Sequence, residues 1–256
     1  MSVVVVVLSA CVFAQLPKTE LKPETTAAFE SCLTEMEASI LQKRSSIQTF
    51  VRNYDPALAN DHGVVINEGS PCSKPVPHGL VHHWIADAFI PGVTVQDVFR
   101  VLKDVGKFPT VYSPQVVSAY LISDGGTTRQ VKVRFTSTHV LITVVLDVVF
   151  EVHDGQLDES HIYSTSRSVR LQQIKNAGER SEHALKEGND EGTLWRQNTY
   201  WQLEQRPNGV VAECETISLT RDVPALASAI VSPFVTAIPK ESLDFTLTKT
   251  KNAVKR

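Results

Sequence analysis

Two consecutive segments late in the chain, 193–205 and 210–221, carry the side chains best able to act together, and Pro207-Asn208-Gly209 joins them as a hairpin. In an extended strand, alternate residues share a face. Arg196, Asn198, Tyr200 and Gln202 therefore lie together, opposite Trp195, Thr199, Trp201 and Leu203, while Glu213 and Glu215 share a face with Val211, Ile217 and Leu219. A guanidinium beside carboxylates and a phenol can orient the carbonyl, hydroxyl or carboxylate of a bound molecule, and the same groups can move protons. Turned into an apolar interior, Arg196 has to pair with Glu213 or Glu215, because an isolated buried charge is very costly. On a wet face the same residues make an ordinary cross-strand ion pair worth about 0.2–1 kcal/mol. The sequence leaves both readings open.

Other chemistries find less support. His82 and His83 are adjacent and point to opposite faces of a strand, so they cannot chelate one ion together. His139, His153 and His161 fall in neighbouring strand regions without Cys/His or HExxH spacing, and no metal is expected. The chain contains no GxSxG, P-loop or GxGxxG motif, so no catalytic residue is nominated and no cofactor is implied. A net charge of -3, from 25 Lys plus Arg against 28 Asp plus Glu with no basic run, argues against nucleic acid as a partner. Of the cysteines Cys11, Cys32, Cys72 and Cys214, a pair such as Cys32 with Cys72 is open to a chain in an oxidising compartment, the alternative being buried small hydrophobes.

The 256 residues, 42% hydrophobic and 21% charged, suit one large domain with an extension. Residues 3–14, VVVVVLSACVFA, are too few for the roughly 20 of a spanning helix and read as an export signal cut after Ala14, although the first basic residue is Lys18. The chain is therefore expected outside the cytoplasm, periplasmic or secreted. Leu8-Ser9-Ala10-Cys11 offers the alternative of a lipid anchor on Cys11. The expected division is a signal at 1–14, a helical extension with a linker at 15–78, and a main domain at 79–256. In the extension, Phe29, Leu33, Met36 and Ile40 mark one face of a helix at 24–44, a second helix is expected at 46–54, and a Gly, Pro and Ser-rich stretch at 63–79 reads as the connection.

From Gly79 the pattern turns to strand at 80–90, then a helix capped by Thr94 with Val95, Val98, Phe99 and Leu102 inward, then a short helix at 104–112. Successive strands follow. In 140–150 both faces are apolar apart from Thr143 and Asp147, which calls for cover on both sides or an apolar cavity on one. The polar stretch 172–192 reads as a solvated excursion or a lid. Residues 223–239 carry no charge and read as a buried helix, with a gate or membrane contact as the alternative; a last helix then carries Leu243, Leu247, Thr250 and Val254 on one stripe.

The opening HHWIADAFIPGVTVQDVFRVLKDVGKFPTVYSPQVVSAYLIS at 82–123 and the closing LWRQNTYWQLEQRPNGVVAECETISLTRDVP at 194–224, followed by IPKESLDFTLTKTKNAVK, resemble the helix-grip fold of the START-like superfamily. That superfamily spans the polyketide cyclase/dehydrase and lipid-transport group, the coenzyme-Q-binding proteins and the birch-pollen-allergen type, and the chain is most similar to an exported bacterial subgroup with an N-terminal helical extension. The resemblance implies an α+β domain in which a curved antiparallel sheet grips a long C-terminal helix around a ligand cavity. It places Trp84, Tyr112, Phe135, Tyr163, Tyr200 and Trp201 best to line that cavity, with Arg196 and Glu213 or Glu215 as polar recognition. The partner it implies is a hydrophobic small molecule such as a lipid, isoprenoid or quinone, bound without covalent chemistry and with transient membrane contact. The alternatives are a cyclase/dehydrase-type enzyme using the same Arg, Glu and Tyr groups, and an interaction module whose groove is filled by the N-terminal helices.

Overall fold

The computed structural model describes residues 18–52, 54–69, 72, 74–139, 142–222 and 237–254. The signal segment at 1–14 and the uncharged helix expected at 223–239, except for its last residues, lie outside the described residues.

Helix α1 (Pro23–Arg44) starts on a proline whose missing N–H costs nothing in the first turn, and it buries Phe29, Cys32, Leu33, Met36 and Ile40 on one stripe. The second helix expected at 46–54 is only a 3-10 turn at Ile47–Thr49. The backbone beyond it bonds to sheet side chains instead of to itself: Gln202 donates to the Phe50 carbonyl, and the Arg52 N–H donates to Glu213 at 3.0 Å. Segment 63–79 is not a linker. It forms β2 (Val64–Glu68) and β3 (Lys74–Val76), both paired antiparallel with β4 (Gly79–Pro91).

Helix α2 (Val95–Lys103) opens with a capping box in which Thr94 and Asp97 each bond the other's backbone N–H, and it presents Val95, Val98 and Leu102 inward. A 3-10 turn and the one-turn α3 (Phe108–Val111) lead to β5 (Val116–Asp124), β6 (Thr128–His139), β7 (Ile142–Asp158) and β8 (His161–Lys175). The polar stretch 172–192 extends β8 and then packs back. Its β9 (His183–Ala184) pairs with β8, and its β10 (Asn189–Asp190) pairs with β1 (Thr19–Glu20) ahead of α1. Asp190 is buried and accepts from Gly192 N at 2.6 Å and Trp195 Nε1 at 3.0 Å, which fixes this stretch in place. The hairpin β11 (Arg196–Arg206) and β12 (Gly209–Arg221) and the C-terminal helix α4 (Ile238–Val254) complete the chain.

The main sheet is antiparallel and curved, in the order β2-β4-β12-β11-β8-β7-β6-β5, with β3 beside β4 and β9 beside β8. Helices α2 and α4 lie on its concave face. Ala86, Ala88 and Ala212 are small enough there to let Leu243 and Leu247 of α4 pack close to the strands. Helix α1 covers the convex face of β4, β12 and β11, seating its stripe against Val81, Tyr200, Ile217 and Leu219. A Cys32–Cys72 disulfide, with Cα atoms 5.5 Å apart, ties α1 to the turn between β2 and β3. Because both faces of this half are covered, β12 is buried along almost its whole length.

Candidate ligand-binding site

Between the concave face of the sheet, α4 and the turn before β5 lies a cavity of about 270 Å³. Its walls are set by the pleat. Strands β6 and β7 contribute Val131, Val133, Phe135, Leu146, Phe150 and Val152, and the region before β5 adds Val105, Phe108 and Tyr112. The apolar run of β7 up to Phe150 thus meets the cavity on one face; on the other, Asp147 is held by Lys132 at 2.8 Å and Arg134 at 2.6 Å. Strands β8, β11 and β12 present Ser164, Ser166, Gln197, Thr199, Thr216 and Ser218 to the same space.

Tyr112 donates to or accepts from Thr250 of α4 at 3.0 Å, and burial pushes its phenol up to about 12, so it stays a neutral hydroxyl. Phe108 meets Tyr112 edge to face at 5.4 Å and Phe135 meets Phe150 at 6.2 Å, which stiffens the apolar wall. Arg129 is buried at the far side, its Nη2 3.3 Å from Asp154, and its Nε has no hydrogen-bond partner. The Cys214 thiol also faces the cavity, where burial raises its pKa well above the usual range and keeps it from acting as a thiolate. His82, bonded to Thr220 Oγ1 at 3.0 Å, is driven down to about 4 by burial and is a neutral imidazole.

Of the residues singled out from sequence, Tyr112, Phe135 and Trp201 stand in the cavity wall. Trp84 is on the same face of the sheet but at its margin, in a shallow groove with Asn60, Ile66 and Asp244, where Lys240 Nζ sits 5.6 Å over its ring. The expected polar constellation requires correction. Arg196 pairs with Glu187 at 3.1 Å, not with Glu213 or Glu215. Tyr163, Tyr200, Glu213 and Glu215 all point to the convex face, under and around the N-terminal extension. Alternation grouped them correctly, but polarity could not say which face meets the cavity, since the extension buries the other face too. The cavity receives the opposite register, Gln197, Thr199 and Trp201 with Thr216 and Ser218. The sequence signal for it was the run of hydroxyl-bearing residues at alternate positions.

The convex cluster has its own logic. The sheet supplies Asp87, Glu213 and Glu215, and the extension supplies Lys43 and Arg52. Lys43 lies 3.3 Å from Glu213 and 3.5 Å from Glu215; Arg52 lies 2.9 Å from Asp87 and 3.3 Å from Glu213. His83 meets Glu215 at 2.6 Å, and Arg44 stacks 4.0 Å over the Tyr163 ring while reaching Gln202 and Thr165. Burial, opposed by Arg52 and reinforced by the neighbouring Glu213, pushes Asp87 up to about 7. Glu215, despite the cost of its burial, is held below the usual carboxylate range by His83 and Lys43. Tyr200 donates to Glu37 of α1, which also meets Arg167. The Tyr200 phenol is raised, by burial and by that carboxylate.

No family model and no curated protein sequence matches the chain. Solved structures do. A STAR-related lipid transfer protein from Xanthomonas axonopodis superposes with a TM-score of 0.54 at 14% identity, covering 77% of this chain and 96% of that one. The Zhui aromatase/cyclase from Streptomyces sp. R1128 does so with a TM-score of 0.50 at 10% identity, covering 69% and 94%. At such identities the likeness establishes the architecture: this is the α+β helix-grip fold of START-like proteins. Function has to be argued from the cavity itself.

Proposed function

We propose that the protein binds a hydrophobic small molecule, such as a lipid, isoprenoid or quinone, in the concave cavity and carries it without covalent chemistry. The observation that bears most weight is the cavity itself, bounded by α4 and by an apolar wall with a few polar groups opposite, the make-up typical of small-molecule sites. Helix α1 lies on the other side of the sheet and leaves the cavity unfilled, which weighs against a groove plugged by the extension. Candidate ligand contacts are Tyr112, Phe135 and Trp201 on the apolar side and Thr199 and Thr216 on the polar side. Transient membrane contact during loading belongs to the same reading; among the described residues no helix is long and apolar enough to cross a membrane.

Native mass spectrometry of the protein purified from its own host, followed by organic extraction, tests this reading. A stoichiometric co-purifying apolar molecule is the expected result. A protein that emerges empty and takes up no apolar probe would remove the proposal. The Cys32–Cys72 disulfide supports an exported location, since such bonds persist in oxidising compartments. Thiol alkylation in intact cells should leave both cysteines unlabelled, and labelling of either counts against export. The cavity-facing Arg129, with its unpartnered Nε, favours one further reading, a cyclase/dehydrase-type enzyme in which it steadies negative charge on an enolising carbonyl. Arg129→Gln would then abolish turnover while leaving ligand uptake intact.

A further inference from the structure

The two walls of the cavity differ in a way that the register makes explicit. One transverse row crosses the sheet from Thr216 through Thr199 and Ser166 to Val152, and beside it Ser218 pairs with Gln197, whose N–H donates to Ser168, which pairs with Phe150. In both, β12, β11 and β8 carry a hydroxyl or an amide, and β7 carries hydrocarbon. Ser168 is used by the fold, accepting from the Gln197 N–H at 2.9 Å, and Thr220 by His82. The side chains of Ser164, Ser166, Thr199, Thr216 and Ser218 have no protein hydrogen-bond partner among the described residues, although Ser164 and Ser218 are only 3% and 6% exposed.

Ser166, Thr199 and Thr216 are half-buried, their side chains opening onto the cavity, and Ala or Val would line an apolar cavity at lower cost if packing alone mattered. With no partner among the described residues, they are left to whatever enters the cavity. A hydroxyl both donates and accepts, so the seam suits alcohol and carbonyl oxygens alike. No charged side chain sits within the seam; Arg129 is across the cavity on β6. At about 270 Å³ the space lies at the small end of ligand pockets, which run roughly 300–1,000 Å³. That is room for one compact ring system, not for a two-chain lipid. A plain acyl chain would also leave the seam as unpartnered as an empty cavity does.

We infer that the ligand is a neutral, compact ring molecule with two or more hydroxyl or carbonyl oxygens along one edge, seated with that edge on the Thr216–Thr199–Ser166 row. The inference rests on the proposed binding function and narrows its ligand class.

Three neutral probes of similar size test it on the full-length protein by fluorescence or calorimetric titration: naphthalene, its outer-edge vicinal diol, and decanol. The expected result is that the diol binds at least tenfold more tightly than naphthalene, about three- to tenfold per hydrogen bond made. The double variant Thr199→Val, Thr216→Val should bring the two within about threefold while naphthalene affinity holds, which also shows that the variant is folded. Equal binding of diol and naphthalene by the wild type means that ordered water satisfies the seam, and overturns the inference. Uptake of decanol alone overturns it too but leaves the hydrophobic-ligand reading standing, whereas uptake of none of the three counts against both.

Discussion

Strand β12 shows two solutions to the same problem on its two faces. Toward α1 it presents Glu213 and Glu215, charged groups buried to within a few per cent, and each is met by a base or a hydrogen-bond donor. Toward the cavity it presents Thr216 and Ser218, far milder groups, and no described residue bonds to either. Buried charge is tolerable only when paired, so the convex face had to acquire its cations together with its cover, and both arrive on the same N-terminal segment. On β12 the cavity side keeps groups cheap enough to leave unpaired between ligands. On this strand the ion-paired carboxylates mark where the molecule is tied together, and the hydroxyls without a partner among the described residues mark where the cavity opens.

Breaking the ties should cost much more than altering the cavity. Replacing Cys32 and Cys72 by Ser opens a cross-link spanning 40 residues, and loop-closure entropy predicts a loss of about 4 kcal/mol in a urea melt. A loss under about 1 kcal/mol would mean that α1 is held by the sheet contacts alone. Next comes Arg52→Ala, which leaves Asp87 and Glu213 buried with a shared cation gone. Since Arg52 is itself a third exposed, the low end of the range applies, about 3 kcal/mol. Affinity for any cavity ligand should not move. A matching loss of binding would show that the two faces are coupled through β12 and end their separation.

That separation was only half legible in the sequence. Amphipathic stripes announced α1 and α4, because each buries one side and wets the other: Phe29, Leu33, Met36 and Ile40 in the first, Leu243, Leu247 and Thr250 in the second. Strand β12 gave no such contrast. Its neighbours Glu213 and Cys214 are both buried, on opposite faces, so hydropathy cannot tell cavity from cover. The polar alternation in the hairpin was real, but it recorded the charges of a helix that lies some 170 residues earlier in the chain. Strands β2 and β3 were hidden for another reason: five and three residues long, the latter with Pro75 at its centre, they exist because the long β4 offers them an edge.

The convex cluster also sets a pH response that the cavity lacks. Asp87 titrates near 7 in the folded protein and near 3.8 when unfolded, so the folded state binds the extra proton. Its contribution is therefore fully present below about pH 4 and is lost as pH rises through 7, by roughly 2 kcal/mol between pH 5 and 7.5. Glu215 works in the opposite sense. Its lowered pKa gives stability that is present above 4.5 and is lost as pH falls, which places the most stable range in mild acid. Urea melts across this range should show the decline toward neutrality in the wild type and not in Asp87→Asn. A decline of equal size in both proteins would assign the proton to another group.

The smallest effect is the sharpest test of the contrast, because it sets two polar-to-apolar changes side by side. Gln202→Leu, on the convex face, strips hydrogen bonds from the Phe50 carbonyl and from Glu213 and should cost about 1–3 kcal/mol. Thr216→Val, only one strand away on the concave face, removes a hydroxyl that no described residue uses. The ligand-free protein should lose nothing and could gain a few tenths of a kcal/mol, since an unpartnered group is replaced by one that packs. Its cost appears only when ligand is present, as a smaller rise in melting temperature on saturation. If Thr216→Val destabilises the empty protein as much as Gln202→Leu does, the hydroxyl seam is part of the scaffold and the two faces of β12 are built on one principle.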